Sequence, residues 1–174
     1  MTMPPRLRRF ALTVHVAVSV GWLGAVAAFL GIGMVGLTSG DPLTVRGTYL
    51  VMDPAARFVL VPLAVGSLIT GLIQALGTTW GLLRHYWVLF KLLVNMFAAA
   101  VLLMYLQTFR TMADVAADPG ADLAMVRNPS PVQHAALALL LLLVATALAV
   151  YKPRGLTSYG WRKRSSASST TTPG

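Results

Sequence analysis

Residues 10–37 read FALTVHVAVSVGWLGAVAAFLGIGMVGL, an apolar run without a single charged side chain. A bilayer's hydrocarbon core is about 30 Å thick, and a helix needs about 20 apolar residues to cross it. This run exceeds that length, so it reads as a transmembrane helix that tilts or protrudes. Arg6, Arg8 and Arg9 precede it. The apolar region of a cleaved signal peptide is only about 7–15 residues long, so the segment is expected to persist as an uncleaved helix.

Three further runs follow, at about 54–76, 87–109 and 131–151. Asp53 is placed to cap the second, and Pro54 suits its first position, where no amide hydrogen is needed. Gly77 stops it. The third is entered through Arg84, His85 and Tyr86. Ser130 and Pro131 repeat the cap-then-proline start, and Pro153 disfavours helix at Lys152. Residues 38–53 read as a Gly/Thr/Asp loop, 77–86 as a tight turn, and 110–130 as a longer connection with room for one short surface helix. The fold class expected is all-α: an integral membrane four-helix antiparallel bundle over residues 1–160. A Ser/Thr-rich disordered tail, 161–174, follows it.

Composition agrees. Of 174 residues, 56% are hydrophobic and only 11% charged, against about 25% charged in a soluble domain. The mean hydropathy is +0.71. Too little polar surface exists to cover a soluble enzyme. The absence of cysteine excludes a disulfide scaffold, thiolate zinc sites, iron–sulfur clusters and cysteine nucleophiles. No span carries an Asp or Glu, which argues against paired-carboxylate catalysis in the membrane.

Charge sets the expected orientation. Ten of the fourteen basic residues fall on the side of the two termini, and Arg46, Arg57, Arg110 and Arg127 fall on the other. All five acids, Asp41, Asp53, Asp114, Asp118 and Asp122, lie on that sparser side. The positive-inside rule then places both termini in the cytoplasm. The net charge of +9 is assigned to anionic lipid headgroups. Nucleic acid is not expected as a partner, because the basic residues flank spans and form no separate domain.

Polar side chains inside the spans repeat at helical spacing: His15, Ser19 and Trp22; Ser67, Thr70 and Gln74; Trp87, Lys91 and Asn95. Each set makes one stripe. His15 lies about 7 Å and Lys91 about 6 Å from the cytoplasmic ends of their spans. Thr70, Gln74 and Thr146 fall at similar depth, so all four helices offer polar groups to one inner-leaflet layer. Such groups serve either as glue between helices or as a functional site. Lys91 also has the option of snorkelling. His85 reads as interfacial, and His134 as a residue near the outer face. Met34, Met52, Met104, Met112 and Met125 fall near that face too, and thioethers suit Cu(I), yet they form no metal-binding motif. Gly21, Gly24, Ala25, Ala27, Ala28 and Gly31 read as small residues that let a helix approach closely.

The segments HVAVSVGWLG (15–24) and WVLFKLL (87–93) resemble the four-helix superfamily of the copper-resistance D membrane domain and the HemJ-type protoporphyrinogen oxidases. The chain looks most like an uncharacterised bacterial integral membrane family within it, whose last span ends in a K-P-x-G segment, here Lys152 to Gly155. The resemblance covers residues 10 to about 160. It implies b-type haem and functional roles for His15 and Lys91. It also departs from the oxidases: their third span typically carries a Tyr-His pair, and this chain has Asn95-Met96-Phe97 there, which weighs against oxidase activity.

Two main readings follow. In the first, the chain is a multi-pass protein of the bacterial plasma membrane that binds haem b or a porphyrin in a redox role. His15 is the axial ligand of the iron, Lys91 pairs with a propionate or moves a proton, Trp22 and Gly24 shape the pocket, and Gln74 and Asn95 line it. In the second, the polar layer is structural. The chain is then a non-catalytic module or accessory subunit that assembles with itself or with a membrane complex. Copper or small-solute transport is a weaker third reading.

Overall fold

The computed structural model describes residues 3–77, 85–151, 155 and 157. They form α1 (Pro5–Thr38), α2 (Pro42–Ala55), one π-helical turn (Ala56–Leu60), α3 (Val61–Gly77), α4 (Tyr86–Ala117), a 3₁₀ turn (Leu123–Met125) and α5 (Ser130–Tyr151). There is no strand among the described residues. Four helical stretches are long and apolar enough to cross a bilayer: Pro5–Thr38, Pro42–Gly77, Tyr86–Ala117 and Leu123–Tyr151. The expected tail at 161–174, Arg84 and most of the 77–86 turn, and the Lys152-Pro153 helix stop lie outside the described residues.

The helix α1 starts earlier than its apolar run. Pro5 opens it, and the first helical bond runs from the Arg8 amide to the Pro4 carbonyl (3.0 Å). Arg6, Arg8 and Arg9 are therefore helical. At about 1.5 Å per residue its 34 residues outrun the hydrocarbon core by some 20 Å.

The largest correction concerns residues 38–53. The expected loop is mostly helix, because Asp41 caps α2: Oδ1 accepts from the Leu43 amide (3.3 Å) and Oδ2 from the Thr44 amide (2.9 Å). Pro42 then occupies the first turn. Val45, Thr48, Tyr49 and Met52 bury one face at helical spacing. Scattered Thr, Gly and Arg dilute the mean hydropathy of this segment without breaking that stripe. Asp53 does not cap a helix. It sits within the run and pairs with Arg57 Nε at 2.8 Å. Pro54 has no amide hydrogen to continue the ladder, and the π turn follows it directly, as such interruptions often permit.

The other ends shift less. Beyond Phe109, α4 continues to Ala117, with Met112 and Ala116 buried one turn apart. Ser130 is the first residue of α5 and its amide is received by Asn128 Oδ1 (2.9 Å), so Asn128 takes the capping role expected of Ser130.

The helices alternate in direction. Arg46 on α2 reaches the carbonyls after α4, and Arg127 before α5 reaches the Ser39 carbonyl (2.8 Å), so the connections after α1 and α4 share one end. At the other end the Met3 amide donates to the Gly77 carbonyl (3.1 Å). The core between the helices is small. Trp22, Val26, Phe29, Tyr49, Met52 and Phe109 fill it, with Phe29 meeting Phe109 edge-on at 5.1 Å. Phe58, Phe97, Met104 and Leu140 instead face outward.

Candidate functional site

The polar layer is assembled chiefly between α1 and α3. His15 Nδ1 lies 2.9 Å from Thr70 Oγ1. Thr70 Oγ1 is in turn 2.6 Å from the Gly66 carbonyl, one turn back on its own helix. A carbonyl only accepts, so the single hydroxyl proton goes to Gly66, and Thr70 Oγ1 accepts from His15 Nδ1–H. In the neutral ring this fixes the proton on Nδ1 and leaves the Nε2 lone pair free, with no hydrogen-bond partner among the described residues. One turn along, Ser19 Oγ meets Ser67 Oγ at 3.1 Å. Gly71 makes the approach close: a Cβ there would lie 3.2 Å from His15 Cε1.

The remaining residues chosen from sequence surround this pair unevenly. Lys91 on α4 is half-buried. It has no ion-pair partner among the described residues, where the pair of Arg57 and Asp53 stands alone. Asn95, one turn further, is half-buried, and its Oδ1 is enclosed without a hydrogen-bond partner. The Gln74 amide nitrogen is also enclosed. Trp22 is buried, but in the apolar core beside Phe29 and Leu60. Gly24 is exposed, with nothing within 4 Å of the position its Cβ would take. Thr146 is exposed as well and donates to its own helix at the Leu142 carbonyl (2.8 Å). The layer is therefore built from α1, α3 and α4.

At the other end, Asp41 is fully exposed, and its carboxyl is held below the usual carboxylate value, first by the Thr44 hydroxyl and then by backbone amides. His134 precedes an apolar cleft and stacks on Tyr105 at 4.4 Å. The Ser130–His134 spacing is visible in the sequence as one helical turn. Tyr105 is not, since only the packing of α4 on α5 brings it there. Met52 and Met112 are buried in the core while Met34, Met104 and Met125 are exposed. Among the described residues no three His, Cys, Asp or Glu side chains gather as a protein-built metal cage requires. The chain matches no family model, no curated protein and no solved structure.

Proposed function

We propose that this is a multi-pass protein of the bacterial plasma membrane, both termini cytoplasmic, whose His15 layer binds haem b or a porphyrin in the inner leaflet. The observation that carries the reading is the anchoring of His15. Its Nδ1–H is held by Thr70, which orients the ring and leaves Nε2 as a ligand, the arrangement by which outer hydrogen bonds orient metal-binding histidines. The donor set suits such a group. The His15 imidazole would hold the iron, the Lys91 ammonium, without a carboxylate among the described residues, would pair with a propionate, and the enclosed Asn95 Oδ1 would accept a donor. Bound haem would supply one-electron redox chemistry. The chain's own part is to hold the ring edge with Thr70, to balance negative charge with Lys91, and to exclude water with the apolar faces of α1 and α4.

Absorption spectroscopy tests this. The purified protein should show a Soret band, present in His134→Ala and lost or shifted in His15→Ala. A protein that stays colourless after haemin addition, with His15→Ala equally stable, would overturn it. Orientation is tested apart from haem: a reporter active only outside the cytoplasm should be silent at the C-terminus and active in the loop near Asp118.

A second reading is favoured by the mutual pairing of His15 with Thr70 and of Ser19 with Ser67. Here the layer is interhelical glue, and the outward small residues Gly24, Ala27, Ala28 and Gly31 admit a second copy or a partner helix. Cross-linking in native membranes, retained in Thr70→Val and lost in Gly24→Leu, would support it.

A further inference from the structure

We infer that the first turns of α1 bind the phosphate of an anionic phospholipid between Arg6 and Arg9. The inference rests on the bilayer reading and is independent of haem.

The helix α1 opens at Pro5, so its arginines belong to a rigid rod that continues into the span. Arg6, Arg8 and Arg9 are all exposed. Arg6 and Arg9 are one turn apart and share a face, while Arg8 lies about 200° from Arg6 around the axis. Among the described residues no side chain pairs with any of the three, and the one ion pair there joins Arg57 to Asp53. All five acids of the chain belong to the other end of the bundle. Like charges one turn apart on a helix repel. An anion seated between Arg6 and Arg9 removes that repulsion, and the guanidinium fork matches phosphate oxygens two at a time.

The surroundings decide which anion. Tyr86 at the start of α4 and Tyr151 at the end of α5 are exposed at this same end of the bundle. Leu7 and Phe10 on α1 are exposed beside the arginines. Tyrosines in such a ring mark a membrane–water interface. Beyond Arg9 the same face continues through Thr13, Ala17, Val20 and Gly24, all exposed. The Thr13 hydroxyl is turned back onto the Arg9 carbonyl (3.1 Å), and nothing lies within 4 Å of the position a Gly24 Cβ would take. These residues leave a low, largely apolar lane. From Thr13 to Gly24 it runs about 16 Å, about one leaflet of a hydrocarbon core some 30 Å thick.

A phosphate at the arginines with an acyl chain along the lane is the shape of a phospholipid. A free phosphate would leave the lane and Phe10 uncovered. A zwitterionic headgroup brings a cation of its own, and no described acid at this end receives it. A second copy in the same orientation would set its own arginines against these.

The test uses the full chain in nanodiscs of equal parts dioleoylphosphatidylglycerol and dioleoylphosphatidylcholine. Native mass spectrometry of the released protein reads the ratio of the two lipids it carries. Wild type should carry phosphatidylglycerol in excess. Arg6→Gln and Arg9→Gln should each cut the ratio about fivefold, the factor for about 1 kcal/mol, which is the usual strength of one arginine at an anionic surface. Arg8→Gln removes the same charge from the opposite face and should change the ratio by about twofold at most. Soluble glycerophosphoglycerol, the headgroup without its tails, should leave the ratio unchanged even in large excess. Equal retention of the two lipids by wild type would overturn the proposal. So would equal losses in all three variants, which would mark a diffuse charge effect, or displacement by the soluble headgroup, which would show that the lane takes no part. Membrane partitioning of the chain is scored separately, so failure of the bilayer reading is distinguishable from failure at Arg6 and Arg9.

Discussion

Where α2 meets the end of α4, Arg46 gives its guanidinium to the backbone carbonyls of Ala116, Asp118, Pro119 and Ala121. Where α1 meets α3, His15 gives its ring to a single threonine hydroxyl. Both are polar contacts between helices, yet they do different work. Arg46 satisfies carbonyls at and just beyond the end of α4, and both terminal nitrogens of its guanidinium are used. His15 binds mid-helix, where the backbone is already satisfied, and keeps one nitrogen unused. Lys91 and Asn95 nearby are likewise incompletely partnered. The Arg46 contact is closed upon its carbonyls, and the His15 contact leaves bonding capacity unused.

The sharpest way to break this contrast is Arg46→Ala. It removes the donor from four carbonyls at once, two of them in partly buried contacts, and each lost charge-assisted bond is individually worth more than a neutral one. We expect a loss of about 2–4 kcal/mol, read as a lower unfolding midpoint in detergent. Arg46→Lys should recover only part of it, because an ammonium cannot reproduce the fork. Recovery in full would show that charge alone matters there.

Glycine substitutions sharpen it next. A Cβ at Gly36 would lie 2.7 Å from Thr48 Cγ2 and 3.3 Å from Thr48 Cβ, so Gly36→Ala should cost about 1–3 kcal/mol by overpacking. Gly24→Ala meets open space and should stay within about 0.5 kcal/mol of wild type. Equal effects at the two positions would mean that a partner covers Gly24. Smaller still is Thr70→Val, which removes the acceptor from His15 Nδ1–H. Interhelical bonds of this kind in membranes average about 0.6 kcal/mol and reach about 1.7. The same change should alter any haem spectrum more than it alters stability, because its main effect is to free the ring.

Much of the fold was legible because apolar runs of bilayer length have few other uses. The spans at 10–37, 87–109 and 131–151 all lie inside helices. The segment 42–55 was not legible, because Thr44, Arg46, Gly47 and Thr48 dilute its apolar character around the buried stripe of Val45, Thr48, Tyr49 and Met52. The His15–Thr70 and Ser19–Ser67 pairs follow from stripes at matched depth. Thr146 shares the depth but not the direction, and Gly24, offered for the pocket, faces outward, since a stripe specifies a face only once the neighbouring helix is placed. Gly36, which a Cβ would press against Thr48, closes a G-x-G-x-x-G run from Gly31, and its packing partner α2 is the segment whose sequence reads as loop.

The finest distinction between the two ends is chemical. All five carboxylates of the chain lie at the Arg46 end, and Asp41 is the one whose geometry predicts a pH signature. Its folded pKa is depressed, chiefly by the Thr44 hydroxyl, relative to an unfolded value of about 3.9. A depressed carboxyl contributes stability that is fully present above the unfolded pKa and is lost as pH falls through the folded one. The gap in unfolding midpoint between wild type and Asp41→Ala should therefore be constant near neutrality and close only in acid, below the ordinary carboxylate range. The other four acids are present in both proteins and cancel in the difference. Thr44→Val removes the largest cause of the depression, so against a Thr44→Val background the gap should be smaller and should close at higher pH. A gap that closes above about pH 5, well clear of the unfolded carboxylate, would show that Asp41 does not hold the start of α2 through its charge.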